Sequence, residues 1–427
     1  MTRVQEIREI STDLAIIGTG LAGIAASVFA VNRGLSCSLA GNTGAVAYTT
    51  GYLDLLGFME DNFISNPWQG IENLKNTNPS HPLATISIDD IDNAFKQFIS
   101  FIGQFGIGYS QPTDHNLLAI TPAGTLKPTF CVPLTMQKGV IALEQKAPCT
   151  ILGFHGLKGF SAFQIAANLK NIWPQIVPKV VRFPGNQSGE LYAEVAARSL
   201  EVEANRVKLA EIICQQADGS KYVGLPAVLG MHRPDSVLRD LEQKTGLSLF
   251  EIPTMPPSVP GIRLREMFEQ VLPKKGMTLI PQQKVKKISF DYDRIHMELS
   301  DNYGPIRIAS KTAMLATGRF LSGGLYAHFD HVAEPLINLP VHQPASRQDW
   351  YQEEYLDSRG HDIHLAGLET DAKLRPLGKD GKVFDPRLFA AGIILAHQDW
   401  IRQRCGAGIA IATAYKAVEA AEQQLKD

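Results

Sequence analysis

Two rhythms of apolar residues open the chain. Residues 14–17 (Leu-Ala-Ile-Ile) form a continuous apolar run, the pattern of a strand buried on both faces. From residue 21 the apolar character turns small and mixed, with Ala22, Ala25, Ala26 and Ser27, and continues at helical length to about Asn32. Gly34 predicts a stop, and 36–40 predicts a second buried strand. The expected unit is therefore strand 13–17, glycine turn, helix, strand 36–40. Farther on, Ile88, Ile91, Phe95, Phe98, Ile99 and Ile102 recur at helical spacing behind Ser87, with Asp90 at the capping-box position and Gly103 and Gly106 as terminators.

Between about residues 108 and 260 the pattern is less regular and richer in proline. It holds a second capping-box start at Ser161–Gln164 and a helix near 235–245 closed by Gly246. Pro253, Pro256, Pro257 and Pro260 make a stiff exit, after which 261–272 reads as helix. Short strands are expected at 277–280, 285–290 and 294–299, and buried strands at 312–316 and 388–392. A small-residue helix over 406–423 closes the chain. The expected fold is α/β: a Rossmann-like, dinucleotide-type flavoprotein domain from 1–107 and 261–427, interrupted by an α+β domain at 108–260.

Composition narrows the function classes. At 427 residues the chain has room for two domains, and its 44% hydrophobic and 20% charged content is that of a folded enzyme. A net charge of -2 without a basic stretch argues against a nucleic-acid partner. Cys37, Cys131, Cys149, Cys214 and Cys405 form no C-x-x-C pair, which fits reduced cytosolic thiols and places any iron–sulfur centre on another chain. Residues 14–32 carry no charge and are just long enough to span a bilayer. Glycines at 18, 20 and 23 and the missing aromatic belt favour a buried βα unit instead.

The chemistry is carried by glycines. In Gly18-Thr19-Gly20-Leu21-Ala22-Gly23, the first glycine permits the tight turn, the second lets backbone approach a pyrophosphate, and the third lets helix pack on strand. The helix N-terminus then offers free N–H groups to phosphate. Thr317 and Gly318 supply another strand end at the crevice, and Ala391-Gly392 leads to a helix begun by Gly406-Ala407-Gly408, where a flavin ring could rest. That C-terminal return points to flavin rather than nicotinamide. The end of the second strand (Leu39-Ala40-Gly41-Asn42) lacks the usual ribose-binding carboxylate. Asn42 is its polar substitute, and the expected cofactor shifts to FMN, with FAD as the alternative. Thr49, Thr50 and Gly51 are expected flavin neighbours, one loop beyond that strand.

Longer strings carry a family resemblance. They include Leu53-Asp54-Leu55-Leu56 after Gly51, Thr121-Pro122-Ala123-Gly124-Thr125-Leu126, Pro256-Pro257-Ser258 with Gly261-Ile262-Arg263-Leu264, Ser322-Gly323-Gly324-Leu325, and Thr370-Asp371 with Leu374-Arg375-Pro376. On these strings the chain, from Asp13 to the final helix, resembles the B subunit of the bacterial anaerobic glycerol-3-phosphate dehydrogenases. The resemblance implies an FMN-associated protein that works with two partners: an FAD-containing catalytic chain and an iron–sulfur chain attached to the membrane. Such a complex oxidises glycerol 3-phosphate to dihydroxyacetone phosphate and passes electrons to quinone. The expected place is cytoplasmic, held at the inner face of the cell membrane through a partner, with no membrane insertion of its own. The chain departs from the family where a glycine-rich segment is expected: it runs Asp399-Trp400-Ile401-Arg402-Gln403-Arg404-Cys405 before Gly406.

Oxidising such an alcohol needs cations for the phosphate and a base for the hydroxyl. Arg319, just past a strand end, is the first candidate for phosphate, with Arg263 and Arg375 behind it. His155, His232 and His328 are the candidate bases, on turn-like segments. No P-loop, G-x-S-x-G elbow or H-E-x-x-H site occurs, and no metal site is expected. Two roles stay open within the enzyme reading, direct oxidation and electron relay. Two further readings stand beside it: an assembly subunit with a degenerate pocket, and a stand-alone FAD oxidoreductase of the fumarate-reductase-like group.

Overall fold

The computed structural model describes residues 7–42, 45–186, 189–357 and 359–426. The chain divides into two compact units. The first comprises 1–45, 54–98 and 268–427, and the second 46–53 and 99–267. The divisions lie at 98/99 and 267/268, several residues from the expected 107/108 and 260/261, and the short stretch 46–53 goes with the second unit.

In the first unit, β1 (Arg8–Ile17), helix α1 (Leu21–Asn32) and β2 (Cys37–Gly41) form the expected βαβ start. Five further strands follow late in the chain: β3 (Thr278–Pro281), β4 (Lys287–Phe290), β5 (Ile295–Asp301), β6 (Gly304–Leu315) and β7 (Leu388–Ala390). They make one seven-stranded sheet in the order β3-β2-β1-β6-β5-β4, with β7 beside the far half of β6. β1, β2, β3 and β7 run parallel to their neighbours, while β4, β5 and β6 form an antiparallel meander. β6 is longer than expected: its half-exposed first part pairs with β5, and its buried last part pairs with β7.

α1 is buried along nearly its whole length because it lies between the sheet and the closing helix α2 (Gly406–Lys426). Phe29 meets Tyr415 edge to face at 5.2 Å, and the Arg33 guanidinium lies 4.7 Å from the same ring. This burial explains the uncharged run at 14–32. Among the described residues no helix is long and apolar enough to cross a membrane. Ser87 caps its helix through the Asp90 N–H at 3.1 Å, as its spacing predicts.

The second unit is more regular than its proline content suggests. Strands Cys149–Phe154, Ile176–Val181, Tyr222–Pro226 and Ser248–Ile252 form a parallel sheet in which the first strand lies between the second and third. Helices join them, and an antiparallel pair (Leu117–Ile120 with Leu126–Thr129) is added. Ser161 caps the Gln164 N–H at 3.2 Å, and Gly246 ends Pro234–Thr245 in the left-handed conformation. Ligands in such sheets favour the point where strand order reverses. In the loop that follows strand Tyr222–Pro226, Glu201 Oε1 accepts from the Met231 and His232 N–H groups at 2.7 and 2.8 Å.

Candidate cofactor site

The turn at Gly18–Gly23 is built by close approach. Gly18 has φ +118°, donates its N–H to Ala40 O at 2.7 Å, and faces Ala316 O so closely that a side chain would collide with it. Ala316 in turn donates to Ile17 O at 2.8 Å. The ends of β1, β2 and β6 therefore meet at this glycine. Gly23 faces Gly18 O and Leu39, which holds α1 against β2.

Gly20 differs. A Cβ built on it meets no atom within 4 Å, its φ is -77°, and as N-cap it leaves the start of α1 without a side-chain cap or an acidic residue. Open space thus lies beside the start of α1, whose first-turn N–H groups have no intrahelical acceptor and which carries the positive end of the helix dipole, an arrangement that fits a pyrophosphate. The nearby Thr317 hydroxyl is buried without a hydrogen-bond partner, a further polar group left unused by the protein. Asn42, exposed, follows β2 with no carboxylate beside it.

The second helix start is organised otherwise. Gly392 (φ +83°) donates to Thr413 Oγ1 at 2.8 Å, so β7 is tied to α2. Gly408 donates its N–H to Asp54 O at 2.7 Å. A Cβ on Gly406 would lie 3.0 Å from Trp400 Cε3, so the indole rests on the first residue of α2. Asp399 caps the short turn that carries Trp400, accepting from the Arg402 N–H at 3.2 Å. Arg402 itself donates to Asp357 O at 2.6 Å and to Asp61. In place of a glycine-rich segment the chain thus sets Trp400 against Gly406, and Asp54 O takes the Gly408 N–H in the first turn of α2.

Arg319 explains how that segment holds its shape. Burial pushes its guanidinium down to about 10, against the pull of Asp399 and Cys405, so it remains charged at neutral pH. Its donors go to four backbone carbonyls: Ile393 at 2.6 Å, Leu395 at 3.1 Å, Gln398 at 3.2 Å, and His364. The other expected phosphate ligands are equally engaged. Arg375 is paired to Asp371 at 2.6 Å. In the second unit Arg263 is buried against Glu251 and Gly230 O.

The three candidate bases are all exposed. His155 and His232 sit on turns of the second unit, where the His232 N–H donates to Glu201. In the first unit the His328 ring stacks on His331 at 4.5 Å. Thr49, Thr50 and Gly51 belong to the second unit; Gly51 packs against Pro260 and Pro133 and receives the Tyr109 hydroxyl on its carbonyl at 2.8 Å. Sequence reasoning missed Asp54 and Thr413 as tethers of the C-terminal glycines. Neither carries a local signal, because Asp54 lies far from Gly408 in the chain and Thr413 sits inside a helix of small residues.

A model of the FAD binding domain family matches residues 13–409. The chain belongs to that family. Its relatives agree with the resemblance read from the sequence strings. The B subunit of the anaerobic glycerol-3-phosphate dehydrogenase of Aliivibrio fischeri is 28% identical, with 97% of this chain and 96% of that protein covered. The same protein of Vibrio cholerae is 29% identical with 95% of each covered, and that of Yersinia pseudotuberculosis is 27% identical with 95% and 97% covered. The FMN expected from the uncharged end of β2 is not supported, since the family is one of FAD binding. The first unit is accordingly a flavoprotein domain of α/β type.

Proposed function

We propose that this chain is the flavin-bearing B subunit of a quinone-linked anaerobic glycerol-3-phosphate dehydrogenase, that it holds FAD, and that it relays electrons rather than oxidising substrate itself. The observation that carries the flavin reading is the uncapped start of α1 at Gly20, with open space before it and the three strand ends locked behind it. There Leu21, Ala22 and Gly23 present N–H groups that no intrahelical carbonyl claims, and these would hold the pyrophosphate. A bound flavin supplies acceptance of two electrons and their release one at a time.

Relay is favoured over direct oxidation by the state of the expected catalytic groups. Arg319, Arg263 and Arg375 are all bound to protein acceptors, and no expected base is buried. The substrate would then be handled by an FAD-containing catalytic partner, and the electrons passed to an iron–sulfur partner that holds the complex at the inner face of the membrane. Full-length likeness to proteins named as the B subunit of such a dehydrogenase supports this division. Anaerobic addition of glycerol 3-phosphate to the purified, flavin-loaded chain tests it. The flavin should stay oxidised until the catalytic partner is added, and prompt bleaching of the chain alone would sink the relay.

A second reading is an assembly role with a flavin pocket that has degenerated. It is favoured by Trp400 resting on Gly406 and by Asp54 O taking the Gly408 N–H. The flavin released on denaturation separates the two: about one FAD per chain supports the relay, FMN would revive the expectation from β2, and none would favour assembly.

A further inference from the structure

Within the first unit, three ligand-type side chains from distant parts of the chain converge on one surface spot. The imidazoles of His342 and His397 lie with ring centres 4.1 Å apart, and the Glu369 carboxylate stands beside both. Glu369 Oε1 is 3.0 Å from His397 Nε2 and 3.7 Å from His342 Nδ1. All three ligand atoms lie within 4.8 Å of one another, and among the described residues this is the one such trio. We propose that His342, Glu369 and His397 form a binding site for a divalent transition-metal ion, zinc in the first instance.

The geometry is close to what such an ion needs. Bonds of ~2.0–2.1 Å in a tetrahedron put neighbouring ligand atoms about 3.3 Å apart, and the two N···O separations bracket that value. The backbone holds the ligands in place beforehand. His342 and Gly367 exchange N–H···O bonds at 2.8 and 3.1 Å. Leu368 donates to Ile394 O at 2.8 Å, Ala396 to Leu368 O at 3.0 Å, and His397 to Leu365 O at 2.9 Å. His397 sits at φ +63°, in the left-handed region of backbone space.

The donor set selects the metal class. Two imidazoles and one carboxylate suit zinc, copper, nickel or iron(II), whereas magnesium and calcium take oxygen ligands. Side-chain exposures of 39%, 52% and 22% for His342, Glu369 and His397 leave a coordination side open to water. The ion would tie the segments around 342 and 369 to the one that leads into Gln398 and Trp400.

The test is a titration of the full chain, stripped with chelator, with zinc chloride followed by calorimetry, and with cobalt(II) followed by its visible bands. About one zinc per chain is expected, with no response to magnesium. His342→Ala should weaken zinc binding at least the ~10–100-fold lost when even supporting partners of a metal site are removed. His397→Asn, chosen because Asn tolerates the left-handed backbone, should do the same, while His331→Ala should leave zinc binding unchanged. No zinc uptake by the wild-type chain overturns the proposal, and so does uptake that survives in His342→Ala. The latter variant changes an exposed side chain, so it decides the matter even if His397→Asn fails to fold.

Discussion

The Arg263 guanidinium grips the Glu251 carboxylate with both prongs, Nη1 to Oε2 at 2.7 Å and Nη2 to Oε1 at 2.8 Å, and both side chains are almost wholly buried. Glu251 Oε1 also accepts the Leu229 N–H at 2.6 Å, and Arg263 Nε donates to Gly230 O at 2.8 Å. Removing one partner leaves the other charged in the core. Arg263→Leu or Glu251→Gln should cost the second unit about 3–5 kcal/mol. Urea unfolding of the full chain measures it, and a loss under about 1 kcal/mol would show that neither charge depends on the pair.

Gly18 and Gly20 separate packing from ligand binding. Gly18→Ala collides with Ala316 O at a φ that L-residues rarely adopt, so it should lower stability along with flavin content. Gly20→Ala meets empty space at an ordinary φ and should keep its stability within ~1 kcal/mol. Its methyl would still stand where the pyrophosphate approaches, and flavin affinity should fall at least tenfold. Unchanged affinity in Gly20→Ala would place the cofactor elsewhere.

His81 makes stability depend on pH. Its Nδ1 accepts the Leu83 N–H at 3.1 Å, so the proton sits on Nε2, 3.2 Å from Gln403 Oε1. Burial pushes this imidazole down to about 4, helped by His397 and opposed by the Gln403 bond. Unfolded, it titrates near ~6.5. Between these values the unfolded chain takes up a proton that the folded chain refuses. The contribution is therefore fully present above ~6.5 and is lost as pH falls toward 4, by about 3 kcal/mol across the window. His81→Gln should flatten that slope, and equal slopes for variant and wild type would refute the assignment.

Thiol labelling should distinguish one cysteine from the rest. Cys214 is exposed, whereas Cys37, Cys131, Cys149 and Cys405 are buried. Burial pushes Cys37 and Cys149 up to about 12 and Cys405 well above its usual range. A maleimide should modify Cys214 alone in the folded chain and all five thiols in denaturant. Rapid native labelling of Cys405 would mean that the segment holding Trp400 opens freely.

What the sequence made legible was local. The βαβ start, the Ser87 and Ser161 caps and the Gly246 stop each depend on residues within a turn or two of one another. The first part of β6 escapes a reading by pattern because its inward positions include Gly304 and Ser310 and its outward positions Pro305 and Ala309, which blurs the alternation of a half-exposed strand. Strand Ile176–Val181 contains Pro178, which reads as a break rather than a strand at the edge of a sheet. The site was less legible than the fold. Arg319 looks free for a phosphate in the sequence because the carbonyls that occupy it lie 45 to 79 residues away. The convergence of His342, Glu369 and His397 likewise has no linear spacing that announces it.

The pairing of β1 with β6 also bears on how the protein is made. Arg8 lies opposite Ile306 and Ile17 opposite Leu315, so the strand behind the glycine turn gains its neighbour only after nearly 300 further residues exist. On the ribosome, β1 and β2 would stay open-edged throughout synthesis of the whole second unit, which can fold meanwhile. Long-range pairing of this kind is slow and leaves strand edges open to association. The nascent first unit is therefore where chaperone dependence and aggregation should concentrate, and truncation before residue 304 should abolish flavin uptake even though the complete Gly18–Gly23 turn has been synthesised.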